Sequence, residues 1–289
     1  MNKLLIVGCG DIALRALPQL ARNYQVFGLV RSAGQADRIA ALGATPLAGD
    51  LDIPVTLHDL AGGSDLVLHL APPGESGDRD QRTANLIAAL STRPPERLVY
   101  ISTSGVYGDC GGAWVDEERT VAPQTVRALR RVDAERALFA WGAQNGVAVV
   151  VLRVPGIYAA ERLPLAQLQR ASPVLRAEDD VYTNHIHADD LAGVCVAALE
   201  RGGAGRAYNA SDDSKMKMGD YFDLVADRAR LPRPPRIARA AAEAGAIAEG
   251  LMSFMRESRR LTNTRMKAEL RVRLRYPSVH EGVPMVVAN

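Results

Sequence analysis

A chain of 289 residues with 47% hydrophobic and 24% charged side chains carries enough apolar material for one large domain or two unequal ones, and its composition is neither disordered nor fibrous. A formal net charge of +2 gives no electrostatic basis for binding nucleic acid or a membrane surface, and no uncharged apolar stretch is long enough to cross a bilayer. The three cysteines, Cys9, Cys110 and Cys195, lack metal-ligand spacing and suit a reducing compartment, and Met1-Asn2-Lys3 runs directly into a strand rather than a leader, so the expectation is a cytoplasmic protein without a metal.

Lys3 to Val7 is a nearly continuous apolar run, as a parallel strand buried on both faces requires. It leads into Gly8-Cys9-Gly10-Asp11-Ile12-Ala13, a G-x-G-x-x-A turn. Gly8 permits the tight turn, Gly10 lets backbone approach a pyrophosphate, and Ala13 lets helix and strand pack closely. The helix that Asp11 and Ile12 open points its free N–H groups and positive dipole end at the phosphates. That helix is expected from Ile12 to Arg22, with Pro18 weakening its middle.

Strands follow at Gln25–Val30, Thr45–Ala48, Asp65–Leu70, Arg97–Ser102 and Val147–Leu152, separated by helices at Asp37–Leu42, Arg79–Leu90 and Thr125–Gln144. The alternation predicts an α/β fold with a doubly wound parallel sheet of the Rossmann type, which binds ligands at the carboxyl ends of its strands. Beyond Pro155 the pattern loosens, apart from a helix at Ile186–Leu199 with Asp189 and Asp190 in its first turn. Arg239 to Met255 reads as one alanine-rich helix, with Met252, Phe254 and Met255 as core or interface filler. Residues 1–154 with about 184–205 are expected to form the dinucleotide-binding domain, and about 155–183 with 206–289 a smaller substrate lobe.

The strand ends say more about the dinucleotide. An NAD site uses an acid after the second strand to bond the ribose 2′-hydroxyl, but here Arg31-Ser32 follows Val30. A guanidinium holds a 2′-phosphate where a carboxylate would repel it, so NADP(H) is expected, with NAD the alternative. Asp50 and Leu51 after the third strand, and Leu70, Ala71 and Pro72 after the fourth, are expected to complete the cofactor contacts. His69, inside an apolar run, reads as structural.

Tyr100-Ile101-Ser102-Thr103-Ser104-Gly105-Val106-Tyr107-Gly108 follows the fifth strand, and Leu152-Arg153-Val154-Pro155-Gly156-Ile157-Tyr158 and Asn184-His185-Ile186-His187-Ala188-Asp189-Asp190-Leu191-Ala192 lie further on. With the glycine turn and Val115-Asp116-Glu117, in this order, the chain from residue 3 to about 210 resembles the extended short-chain dehydrogenase/reductase family, which includes sugar-nucleotide epimerases and dehydratases. The resemblance implies that Thr103 polarises a substrate carbonyl or hydroxyl and that Pro155 borders the cofactor. It also implies a homodimer through helices matching Arg79–Leu90 and Thr125–Gln144, and a small-molecule substrate such as a sugar nucleotide. Arg153, Arg162, Arg170, Arg176 and Lys215 are candidate phosphate contacts.

The family's acid/base pair is a Tyr and a Lys four residues later. Arg131-Val132-Asp133-Ala134-Glu135 sets the register and places Arg127 at the tyrosine and Arg131 at the lysine. Arginine holds its proton too tightly to shuttle it near neutral pH, although Arg131 is able to bond a ribose. Three readings stay open: another acid such as Tyr107, Tyr158 or His187; a substrate that needs only hydride positioning; or a non-catalytic NADP(H)-binding sensor.

Overall fold

The computed structural model describes residues 1–285. Seven strands form the central sheet: β1 (Lys3–Val7), β2 (Gln25–Val30), β3 (Thr45–Ala48), β4 (Leu66–His69), β5 (Arg97–Thr103), β6 (Ala148–Val154) and β7 (Arg206–Asn209). All pair in parallel, in the spatial order β3-β2-β1-β4-β5-β6-β7. The helices that position the site are α1 (Asp11–Asn23), α2 (Ala33–Ala40), α3 (Gln81–Leu90), α4 (Val126–Asn145), α5 (Ala188–Arg201) and α6 (Met218–Ala229).

Strand side chains alternate between two cores, as the pleat demands. Leu4, Ile6, Leu68 and Val99 pack with α1 and α5 on one face, whereas Leu5, Val7, Val67, Leu98 and Tyr100 pack with α3 and α4 on the other. A third core around Tyr158, Leu168, Val174, Phe222, Met252 and Met255 holds the smaller lobe together.

The elements match or depart from the expectations at four places. Helix α1 runs through Pro18 as expected, with Pro18 on its exposed face. Arg206–Asn209, expected in the smaller lobe, is the seventh sheet strand and pairs with β6. The alanine-rich helix is broken: Gly245 at φ 100° ends its first piece, and a second follows at Glu249–Met255. Met252 and Met255 are core, but Phe254 remains 50% exposed.

Helix α4 is tied to the sheet by a buried polar network. Arg153 of β6 and Glu135 of α4 form an ion pair (Nη2–Oε2 2.9 Å), with the side chains only 9% and 5% exposed. The Ser102 hydroxyl donates to Glu135, and Arg153 Nη1 donates to the Tyr107 hydroxyl at 3.0 Å. Tyr107 in turn donates to Asn209 Oδ1 at 2.8 Å, and Asn209 Nδ2 donates to the carbonyls of Val115 and Thr262. Every charge in this low-dielectric region therefore has a partner, which is the condition for tolerating it there. Arg153 is thereby committed to the core and does not face a substrate phosphate.

Removing one member strands the other. Arg153→Met is expected to destabilise the fold by about 3–5 kcal/mol in urea denaturation, and Arg153→Met with Glu135→Leu is expected to recover most of that loss. Equal losses in the single and double variants would contradict the pairing.

Candidate active site

Two clefts open at the carboxyl edge of the sheet. The first, about 240 Å³, lies over the ends of β1 to β4 and is lined by Gly8, Gly10, Arg31, Asp50, Leu51, Leu70, Ala71 and Pro72. Eight of the residues expected to touch a dinucleotide are thus brought to one place. Gly8 adopts φ +95°, and a Cβ there would lie 2.4 Å from the Ala71 backbone nitrogen. This is why the β1 turn can close against β4. A Cβ on Gly10 would meet nothing within 4 Å, so the space beside it is open to a ligand. Helix α1 has no side-chain cap, which leaves its first N–H groups unspent at this edge. An open glycine wall and an uncapped helix start together fit a dinucleotide pyrophosphate.

The other expected cofactor residues lie differently. Ile12 and Ala13 are buried in the packing of α1 on the sheet, Ser32 is the exposed N-cap of α2, and Pro155 lines the second cleft. Asp11 faces two arginines, Arg15 (2.9 Å) and Arg162 (2.9 Å). Arg15 also pairs with Glu161 and Asp189, so the network ties α1 to α5 and to the smaller lobe. Arg31 is 63% exposed and its Nη1 lies 3.9 Å from Asp50 Oδ2.

Sequence reasoning missed Gln35 and Arg82 in this cleft. Gln35 Nε2 donates to the Cys9 carbonyl at 3.2 Å and steadies the glycine turn. Arg82 of α3 holds Asp52 through Nε at 2.8 Å and Nη2 at 2.5 Å. Its presence here follows from β4 lying beside β1, which no local pattern around residue 82 reveals.

The second cleft, about 470 Å³, lies between the ends of β5 and β6 and the smaller lobe. Thr103, Ser104, Thr125 and Arg127 line one side; Tyr158, Tyr182, Tyr221, Phe254, Glu257 and Arg259 line the other. The Thr103 oxygen accepts the Gly105 N–H at 3.2 Å, which leaves its own proton to donate. Helix periodicity puts Arg127, Arg131 and Glu135 on one face of α4. Glu135 is buried in the ion pair with Arg153, Arg131 Nη1 donates to the Ile101 carbonyl (2.7 Å) and the Tyr100 hydroxyl (3.0 Å), and Arg127 reaches the cleft.

Tyr107, expected among the catalytic groups, does not line this cleft: it is 1% exposed, its hydroxyl is spent on Asn209 and Arg153, and burial pushes its pKa up to about 12 against the opposing Arg153 charge. The Tyr158 hydroxyl donates to the Ser278 carbonyl at 3.2 Å, and burial raises its pKa also. His187 accepts from the Asp189 N–H as a helix cap. His69 bonds the Thr83 hydroxyl at 2.9 Å, and complete burial lowers its pKa to about 3. Of the candidate phosphate contacts only Arg162 lines the cleft; Arg176 pairs with Asp179, and Lys215 lies over the Trp114 ring. Among the described residues no cluster of three or more His, Cys, Asp or Glu suits a metal, and no helix is long and apolar enough to cross a membrane.

Comparison with known proteins agrees with this geometry. Residues 9–211 match the model of the NAD dependent epimerase/dehydratase family. A 4-hydroxy-2-methyl-3-oxo-4-farnesyl-3,4-dihydroquinoline-1-oxide ketoreductase of Stigmatella aurantiaca is 27% identical over 266 residues, covering 85% of this chain and 80% of the relative. A conserved protein of unknown function from Silicibacter pomeroyi superposes with a TM-score of 0.81 at 30% identity, covering 98% of this chain and 96% of the other. The fold is shared with a UDP-glucuronic acid 4-epimerase from Bacillus cereus in complex with NAD, at a TM-score of 0.76, 18% identity and coverages of 98% and 96%.

One buried acid under the second cleft gives a pH signature. Asp212 is 4% exposed; its backbone N–H donates to the His185 carbonyl at 2.7 Å and its Oδ1 accepts from the Ser214 N–H at 2.9 Å. Burial raises its pKa to about 7, with Asp213 and Asp190 adding to the rise and Ser214 opposing it. Between about pH 4 and 7 the folded state keeps this proton while the unfolded state has released it, so this group costs the fold stability as pH rises. Asp212→Asn is expected to gain on the parent by a few kcal/mol between about pH 4 and 8 in denaturant melts. A difference that does not change with pH would contradict it.

Proposed function

The chain belongs to the NAD dependent epimerase/dehydratase family, and on that premise we propose that it is an NADP(H)-dependent oxidoreductase or epimerase/dehydratase that acts on a small carbonyl or hydroxyl substrate, a sugar nucleotide among the candidates, without a Tyr-x-x-x-Lys pair. The observation that carries the reading is the pairing of two clefts at neighbouring strand ends, one walled by Gly8 and Gly10, the other presenting the Thr103 hydroxyl. A nicotinamide dinucleotide supplies hydride chemistry when bound. Gly8, Gly10 and the start of α1 would hold its pyrophosphate, and Arg31 a 2′-phosphate.

The chain's own groups then divide the remaining work. Thr103 donates its proton to the substrate oxygen. Arg127 supplies fixed positive charge at the same cleft, which favours an anionic substrate. Neither arginine is a proton shuttle, so the proton that completes an alcohol enters from water by way of the Thr103 hydroxyl. The ketoreductase name of the Stigmatella relative supports carbonyl reduction.

A second reading, a redox sensor that binds NADP(H) without turnover, is favoured by the arginines at both acid/base positions. We also propose a cytoplasmic homodimer through α3 and α4, where Val126 and Leu129 are exposed at 53% and 41%.

Calorimetric titration is expected to show NADPH binding at least about tenfold tighter than NADH, with Arg31→Ala removing most of that preference; tighter NADH binding would overturn the NADP assignment. With NADPH and a panel of carbonyl compounds and sugar nucleotides, turnover is expected, falling about 100-fold in Thr103→Ala. Cofactor binding with no turnover on any substrate selects the sensor instead.

A further inference from the structure

The second cleft contains three arginines, and only one of them is free. Arg259 Nη1 is 2.8 Å from Glu257 Oε2, and Arg162 Nη2 is 2.9 Å from Asp11 Oδ2. Among the described residues Arg127 has no hydrogen-bond or ion-pair partner; its guanidinium instead lies 4.5 Å from the centroid of the Phe254 ring. Stacking of this kind holds the guanidinium face while its N–H donors stay available in the plane. Phe254 is a large apolar side chain left 50% exposed at the cleft, surface that a bound ligand would cover.

The position of this guanidinium is what gives it meaning. The Thr103 loop touches the first turn of α4: a Cβ on Gly105 would lie 3.5 Å from Thr103 Oγ1 and 3.8 Å from Ala128 Cβ. Arg127 and Thr103 both line this cleft. Glu257 and Arg259 line the same cleft, and among the described residues Glu257 Oε1, an acceptor, and Arg259 Nε, a donor, are buried without partners. A hydroxyl group answers both, because it donates and accepts at once.

We propose that Arg127 binds a carboxylate of the substrate through two parallel hydrogen bonds, and that the substrate is a small hydroxylated organic acid whose reacting carbonyl or hydroxyl lies beside Thr103. The proposal rests on the oxidoreductase reading for its chemistry, but the binding claim stands on Arg127 alone. It explains why a group unable to transfer protons occupies the tyrosine position: there it selects the substrate and fixes its orientation. Planar, bidentate recognition of a carboxylate is what a guanidinium does better than an ammonium.

The test is calorimetric titration of the NADPH-loaded protein with glucuronate, glycerate, methyl glucuronate, glucose 6-phosphate and UDP-glucose. Glucuronate or glycerate is expected to bind, methyl glucuronate at least about tenfold more weakly than glucuronate, and Arg127→Met to lose about 10- to 100-fold in affinity for the acids while Arg127→Lys recovers part of it. NADPH affinity is expected to be the same in parent and variants, which shows that fold and cofactor site are intact. Binding of the acids that is unchanged in Arg127→Met, an ester that binds as well as its acid, or no saturable binding of either acid overturns the proposal. Preference for glucose 6-phosphate, or UDP-glucose binding indifferent to Arg127→Met, overturns the carboxylate assignment. Failure of the parent to bind NADPH at all would strike the oxidoreductase reading instead, and is seen separately in the loading step.

Discussion

The buried pair of Glu135 and Arg153 sets the geometry on which the rest of the site depends. It joins the middle of α4 to β6, and through Ser102, Tyr107 and Asn209 it reaches β5, the turn that follows β5, and β7. Two charges taken out of water are tolerated only because each finds a partner within hydrogen-bond distance. Burial alone would weaken the Arg153 charge; the Glu135 carboxylate outweighs it and holds its pKa above the ordinary arginine value. Once Glu135 is anchored, the 3.6-residue helical repeat places Arg131 over the end of β5 and Arg127 in the cleft.

That face of α4 separates position from chemistry. It presents two guanidiniums, Arg127 and Arg131, at the positions where the proposed register puts the family's tyrosine and lysine. Arg131 spends its charge on the Ile101 carbonyl and the Tyr100 hydroxyl, which closes the end of the strand. Arg127 spends its charge on nothing among the described residues. The phenols nearby are unsuited to replace the tyrosine, because burial raises the pKa of both Tyr107 and Tyr158 and each donates its proton to an oxygen already in place. The donors that remain at the cleft are the Thr103 hydroxyl and the Arg127 guanidinium.

The parallel sheet was legible in the sequence because central strands buried on both faces are near-continuous apolar runs, and β2 and β3 begin and end where the pattern places them. The glycine turn was legible because Gly8, at φ +95° and against the Ala71 backbone, answers a requirement that a residue with a side chain does not meet. What stayed hidden depends on contacts distant in the chain. Arg82 enters the first cleft only because β4 lies beside β1; Tyr107 is withdrawn from the second, its hydroxyl donating to Asn209, 102 residues away. The break at Gly245 and the seventh strand at Arg206–Asn209 likewise came from packing that alanine content and short length do not announce.

The central claim is that one chain holds an NADP-type dinucleotide across both clefts while an arginine, not a tyrosine, faces the reacting end. A crystal structure with NADP⁺ bound tests it most directly. The account predicts the 2′-phosphate within hydrogen-bond reach of Arg31, the pyrophosphate against Gly10 and the start of α1, and the nicotinamide ring opening onto Thr103 and Arg127. A nicotinamide that stops short of the second cleft, or a phenol from elsewhere in the chain lying against its reactive carbon, would contradict it.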